Sequence, residues 1–235
     1  MPDFAVRSAL PEIMDDLDCS GEVVHQTLRE LEFINAWLGG NAVTLGALKQ
    51  LLEKTDASRT LTIADLGCGS GEMLRLINTW AVRNQRRVKL IGIDANPHII
   101  AYAKTNLQDL PGVELLALDI FSEEFRKRSF DVITGTLFYH HFNAVQLKKF
   151  FSQLREQVSI GMVINDIHRH PLAYYSIKIL TQLFSKSAMV KYDAPLSVLR
   201  AFSREELGDI VAGASWKKFS LDWKWAFRWQ LIATP

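Results

Sequence analysis

The sequence predicts an α/β fold: a seven-stranded, mostly parallel sheet with helices on both faces, closed by a C-terminal antiparallel hairpin. Three observations predict it. From residue 61 onward, short β-rich runs alternate with stretches of helical periodicity. The runs are nearly continuous in apolar residues, as strands covered on both faces must be. The tail "WKKFSLDWKWAFRWQLIATP" then carries aromatic and β-branched residues with no further helical pattern. With 235 residues, 48% of them hydrophobic, the chain can bury one substantial core, and a single domain is expected.

The elements follow in order. Residues 21–53 place Val24, Leu28, Leu31 and the run Phe33–Leu38 at helical spacing, then "GGN", then "AVTLGALKQLLE", which reads as two or three helices. Residues 1–58 are therefore expected to form a helical N-terminal cap. The core, 59–170, is expected to run "LTIADLG", helix 72–83, "VKLIGID", helix 97–108, "VELLALD", a short acidic-basic turn, "FDVITGTL", a helix at about 143–157 and "SIGMVIND". A helical segment of some thirty residues, 171–202, follows the fifth strand as a lid. Ser203 with Glu206 three residues on is a capping-box start for one more helix, and with the two strands of the tail it makes up 203–235.

Composition narrows the function classes. A formal charge of +1 gives no electrostatic footprint for nucleic acid, so no nucleic-acid partner is expected. Two cysteines, Cys19 and Cys68, offer neither a disulfide framework nor a zinc spacing. The start "MPDFAVRSALPEIMDD" has acidic residues and Pro where a secretory signal has a basic and then an apolar region. The most apolar window, "PLAYYSIKILTQLFSKSAMV", is interrupted by Lys178, Gln182 and Lys186. No membrane span is expected, and the cytoplasm is the expected location.

The chemistry centres on "IADLGCGSGEML". Glycines at a strand-to-helix turn permit positive φ and close ligand approach, and the helix that follows presents unpaired N–H groups. A dinucleotide fingerprint is G-x-G-x-x-G, yet here Gly67, Gly69 and Gly71 alternate and Glu72 takes the last expected position. A phosphate is disfavoured beside that carboxylate, and no P-loop occurs anywhere. A ribose-bearing cofactor with a cationic head fits Asp65 and Glu72 better, and S-adenosylmethionine is such a molecule.

On these residues the sequence resembles the class I S-adenosylmethionine-dependent methyltransferases, a resemblance that runs from about residue 60 to the C-terminus and implies a Rossmann-like sheet. It implies that "DLGCGSG" surrounds the methionine part of the cofactor with Asp65 and the backbone of Gly67, Gly69 and Gly71; Cys68 reads as a small residue in the tight loop. "GIDAN" implies Asp94 on both ribose hydroxyls and Ala95 bordering the adenine. "ALDI" implies Asp119 accepting from the adenine amino group and Ile120 packing on the ring. In "GTLFYHHF", Thr136 and Leu137 meet the amino-acid end of the cofactor. Asp94 can instead cap the next helix, and Asp119 can sit in a capping turn.

Candidate catalytic groups cluster after the fourth and fifth strands, where open α/β sheets bind ligands. His140 and His141 lie in "YHHF", which also occurs in the family as a pocket floor. In "NDIHRHP", Asp166, His168 and Arg169 follow one another. A His168 base assisted by Asp166, a purely structural role for Asp166 and Arg169 in holding the lid begun by His170 and Pro171, and metal ligation by His168, His170 and a carboxylate are the three readings; no metal is expected. The aromatic lid residues Tyr174, Tyr175, Phe184, Met189 and Tyr192 suit a small aromatic or lipophilic acceptor. The sequence thus points to O-methylation of a phenolic or polyketide-like hydroxyl with a histidine base. C-methylation of an aromatic or quinone ring, and a silent cofactor-binding module, stand as alternatives.

Overall fold

The computed structural model describes residues 2–235. Two helices open the chain after a short 3-10 turn at Ile13–Asp15: α1 (Glu22–Trp37) and α2 (Gly40–Leu52). Five strands and their crossover helices follow: β1 (Leu61–Leu66), α3 (Glu72–Arg83), β2 (Val88–Asp94), α4 (Pro97–Asn106), β3 (Val113–Ala117), α5 (Glu123–Arg126), β4 (Phe130–Thr136), α6 (Ala144–Gln157) and β5 (Val158–Ile167). The chain ends with α7 (Pro171–Phe184), α8 (Ala188–Arg200), α9 (Arg204–Gly213), β6 (Lys218–Lys224) and β7 (Arg228–Thr234).

The strands form one sheet in the order β3-β2-β1-β4-β5-β7-β6. Pairs among β1 to β5 are parallel, and β7 runs antiparallel between β5 and β6. Because the chain leaves the β3 edge and returns beside β1, the sheet has its switch point between β1 and β4, where the strand ends diverge and leave a crevice. The burial explains the composition: Ile63, Ala64 and Leu66 of β1, like Val132 and Ile133 of β4, are covered from both sides.

Local sequence sets the boundaries. Gly71 takes a left-handed φ of +86° and starts α3, whose buried stripe is Met73, Leu74, Ile77, Trp80 and Ala81. Asn96 caps α4 by accepting from His98 and Ile99 N–H, with Pro97 at the first helical position. Asn143 and Gln146 form a capping box on α6, and Ser203 and Glu206 form the expected one on α9. The expected thirty-residue lid is two helices, because Ser187 caps a fresh start by accepting from Val190 N–H. β5 runs one residue further than "SIGMVIND", and His168 continues it by bridging to Phe202. No helix among the described residues is long and apolar enough to cross a membrane.

Candidate functional site

One cavity of about 880 Å³ lies over the carboxyl ends of β1, β2, β4 and β5. The glycine loop forms one end. Gly67 (φ +64°) lies against the Phe138 ring, so close that an added Cβ would sit 2.2 Å from Phe138 Cδ2. Asp65 is buried, accepts from Thr134 Oγ1 at 2.8 Å, and is pushed up to about 7 by burial, opposed by that hydrogen bond. Glu72 accepts from Asn41 Nδ2 at 3.0 Å and is likewise raised by burial. Desolvated carboxylates facing a cavity gain most from a cation placed between them, and the lining holds eight Asp or Glu side chains against a single Lys or Arg.

Of the remaining sequence-predicted cofactor residues, all but Gly71, which turns into α3 against Leu107, line the same cavity. Asp94 receives Gly69 N–H at 3.3 Å on one oxygen and Asn96 N–H at 3.0 Å on the other, so it braces the loop, while Asn96 itself caps α4. Cys68 and Ala95 border it. Asp119 is exposed and accepts from Phe121 N–H at 2.9 Å in a tight turn, with Ile120 buried behind it. Thr136 pairs with Thr44 of α2 at 2.8 Å. Leu137 adopts a left-handed φ of +55°, a conformation costly for a side chain, and its N–H donates to Asn165 O at 2.8 Å.

The other end of the cavity is built around His140. Its Nδ1 lies 2.7 Å from Asp166 Oδ1, and both are buried. Asp166 also receives Tyr139 N–H (2.8 Å), His140 N–H (3.1 Å) and Ile167 N–H (2.8 Å). Burial works to raise the Asp166 carboxyl, but the His140 ring and the Ile167 N–H hold it below the usual carboxylate range. An ionised carboxylate only accepts, so Nδ1 carries the hydrogen, and in the neutral ring the lone pair is on Nε2. That Nε2 stands 3.7 Å from Glu12 Oε1, a buried oxygen with no hydrogen-bond partner; burial lifts Glu12 to about 7.

His141 faces Asp15, with Nδ1 to Oδ1 at 2.6 Å, and Arg200 donates to the same carboxylate. Burial opposes ionisation of Asp15, yet those two partners hold it well below its ordinary value. Arg7 ties this wall together by donating to the carbonyls of Arg200 (2.6 Å), His140 (2.8 Å) and Phe142 (3.0 Å). Glu12, His140 and His141 each offer a ligand atom within 4.8 Å of the others, the one such group of three found among the described residues.

Two groupings expected from "NDIHRHP" come apart. Asp166 pairs with His140 and not with His168, because the sheet continues past β5: His168 N–H donates to Phe227 O at 2.9 Å, and its ring packs against Trp229 and His170. His168 does not line the cavity. His170 accepts Leu172 N–H as the cap of α7, and Arg169 binds Glu206 (2.7 and 2.9 Å) and the carbonyls of Phe4, Ala5 and Ala201. Those three residues organise the lid and the N-terminal segment. The sequence reading missed Glu12, Asp15, Asn41 and Arg228, which all line the cavity.

A glycine loop at the switch point, acidic groups after the first two strands and a β5-β7-β6 ending define a class, and comparison agrees. Residues 63–161 match the family described as Methyltransferase domain, and the fold is that of the S-adenosylmethionine-dependent methyltransferases. Among solved structures, human N-acetylserotonin methyltransferase in complex with SAM is similar at 15% identity, with a TM-score of 0.66 over 97% of this chain and 59% of that one. The plantazolicin methyltransferase BpumL in complex with SAH is similar at 18% identity and a TM-score of 0.60, over 95% and 89%. The CurJ carbon methyltransferase matches at 16% identity and a TM-score of 0.60 over 81% of this chain; the chain spans about half, 53%, of its length. No curated protein matches. At these identities the likeness is one of fold.

Proposed function

We propose that the protein methylates a hydroxyl of a small aromatic or lipophilic acceptor, with His140 as general base and Asp166 as the residue that positions it. The observation that carries this reading is the continuity of one cavity from Gly67, Gly69 and Asp94 to His140. At about 880 Å³ it lies in the upper part of the range of roughly 300–1,000 Å³ for ligand clefts, room for a cofactor and a second molecule. The group implied by the class fits the residues present: a cationic ligand relieves the burial cost on Asp65 and Glu72, and Gly69, with nothing but Leu28 near a would-be Cβ, leaves backbone open to it. When bound, S-adenosylmethionine supplies a methyl group on a sulfonium.

In this reading Asp65, the backbone of Gly67, Gly69 and Gly71, and Cys68 enclose the methionine part, Asp94 takes the ribose, and Ala95, Asp119 and Ile120 border the adenine. Thr136 and Leu137 separate the two halves. The protein's own work is to hold the acceptor oxygen in line, exclude water beneath α1, α7 and α8, and take up a proton at His140 Nε2. Asp166 stabilises the imidazolium that forms. His141, already bound to Asp15, shapes the wall.

Calorimetric titration with S-adenosylmethionine and S-adenosylhomocysteine, with NAD and ATP as controls, tests the cofactor. Micromolar binding of the first pair alone is expected; its absence refutes the reading. Methyl transfer to a phenolic panel, followed by S-adenosylhomocysteine formation, tests turnover, and product NMR shows whether oxygen or carbon carries the methyl group. Binding without turnover on any acceptor supports a silent module instead.

A further inference from the structure

Arg228, the first residue of β7, is 4% exposed, and its side chain makes no hydrogen bond or ion pair among the described residues. Its Nε and Nη1 are buried without partners, and the residue lines the cavity. Leaving a guanidinium desolvated and unpaired is costly, so its free donors mark a place where an anionic oxygen is gained on binding. The charge persists: burial lowers Arg228 only to about 10, with Asp166 opposing the drop.

The surroundings sharpen the assignment. The guanidinium packs on Gly40, where an added Cβ would meet Asn35 Oδ1 at 2.0 Å and Arg228 Cζ at 2.7 Å, and Gly40 is the first residue of α2, the end of a helix that favours anions. Arg228 is also the single Lys or Arg in a lining otherwise rich in carboxylates. An anion is tolerated at that one point and repelled elsewhere, which fixes a ligand's orientation.

Position decides which ligand. Sheet order places β7 two strands beyond β4 and three beyond β1, so at about 4.8 Å per strand Arg228 lies roughly 10–14 Å across the sheet from the glycine loop side. Ile167 of β5 pairs with it, and Trp225, Ala226 and Phe227 precede it in the chain; all four line the cavity. These present apolar surface, while on its other side Arg228 meets Gly40, next to the Asn41 that donates to Glu72.

We propose that Arg228, with the N-terminal turn of α2, is the anion seat of the acceptor chamber, and that the acceptor is an aromatic or lipophilic molecule bearing a carboxylate. This rests on the reading that the cofactor occupies the glycine-loop end. The bidentate geometry of a guanidinium matches a carboxylate, and the apolar strip from Ile167 to Phe227 takes the body of the molecule.

The test uses the full chain loaded with S-adenosylhomocysteine. Hydroxybenzoates, hydroxycinnamates and an alkyl resorcylic acid are titrated against their methyl esters by calorimetry. In the wild type at least one acid is expected to bind tenfold or more tightly than its ester. In Arg228→Gln that ratio falls to about one, and in Arg228→Lys, which keeps the charge and loses the fork, it is intermediate. A wild type with no preference for any acid overturns the proposal, even if a variant does not fold. A preference that survives Arg228→Gln overturns it too, as does a tenfold loss of S-adenosylhomocysteine affinity in that variant with the acid-to-ester ratio unchanged, which gives the seat to the cofactor's own carboxylate. Failure of the cofactor reading looks different: the wild type does not bind S-adenosylhomocysteine, and the acid and ester pairs are then titrated into the unloaded protein.

Discussion

Replacing Asp166 by Asn changes one oxygen to an amide nitrogen at a site where four N–H groups converge. In the wild type Oδ2 receives the Tyr139 and His140 N–H groups, and Oδ1 receives the Ile167 N–H and the His140 ring. If the amide oxygen keeps the first pair, its NH2 faces the Ile167 N–H, leaving one buried donor unpaired at about 1–3 kcal/mol, and the surviving bonds lose their charge assistance. A destabilisation of about 2–4 kcal/mol follows. The amide also donates to His140 Nδ1, which moves the ring hydrogen to Nε2, the atom that must accept a proton. General-base catalysis is worth about 10²–10⁴-fold, so kcat falls at least about 100-fold, with acceptor KM moving far less and S-adenosylmethionine affinity within about twofold. Chemical denaturation reads the first effect; initial rates of S-adenosylhomocysteine formation against pH read the second. A folded Asp166→Asn protein with kcat within threefold of wild type would sink the assignment of His140 as base.

Three further perturbations test separate parts of the site. Asp94→Ala removes a charge-assisted acceptor worth about 1.5–3 kcal/mol, so the Kd for S-adenosylmethionine is expected to rise roughly 10- to 150-fold by calorimetry; a change within twofold contradicts the ribose role. Gly67→Ala forces a side chain into φ +64° and against Phe138, and a fall in stability of about 1–3 kcal/mol is expected in urea. Glu12, raised by burial to about 7, holds its proton more tightly folded than unfolded, so its contribution is fully present below about pH 4.5 and is lost as pH rises through 7. Glu12→Gln is therefore expected to gain on the wild type between pH 5 and pH 8 by about 2.5 kcal/mol, and thermal melts whose difference does not grow with pH contradict the burial argument.

The cofactor half was legible because its signals are local. Gly67, Gly69 and Gly71 sit at a strand-to-helix turn, and Asp94 ends the next strand, so periodicity and spacing place them without long-range information. The capping boxes at Asn143 and Ser203 belong to the same kind of pattern. The acceptor half was legible only in composition. Asp166 and His140 are 26 residues apart and meet because β5 pairs beside β4, while the sequence showed Asp166 next to His168. Glu12 and Asp15 stand in a 3-10 turn without periodicity, and their role comes from contacts with Ser197 and Arg200 some 185 residues away. Arg228 had a weaker signal: a lone cation at the start of a strand otherwise buried along its length.

The acceptor wall is stitched from residues 12–15, 140–141, 166, 197–200 and 225–228, whereas the glycine loop and the groups after β2 and β3 lie within one contiguous stretch. Contacts that close long loops form late, since the chain must give up its freedom before they reward it. The end proposed for the cofactor therefore rests on nearer contacts, and the proposed acceptor chamber needs both ends of the chain in place. On the proposed reading, selectivity for the acceptor, more than cofactor affinity, is then the property most exposed to changes near residues 12–15 and 225–228.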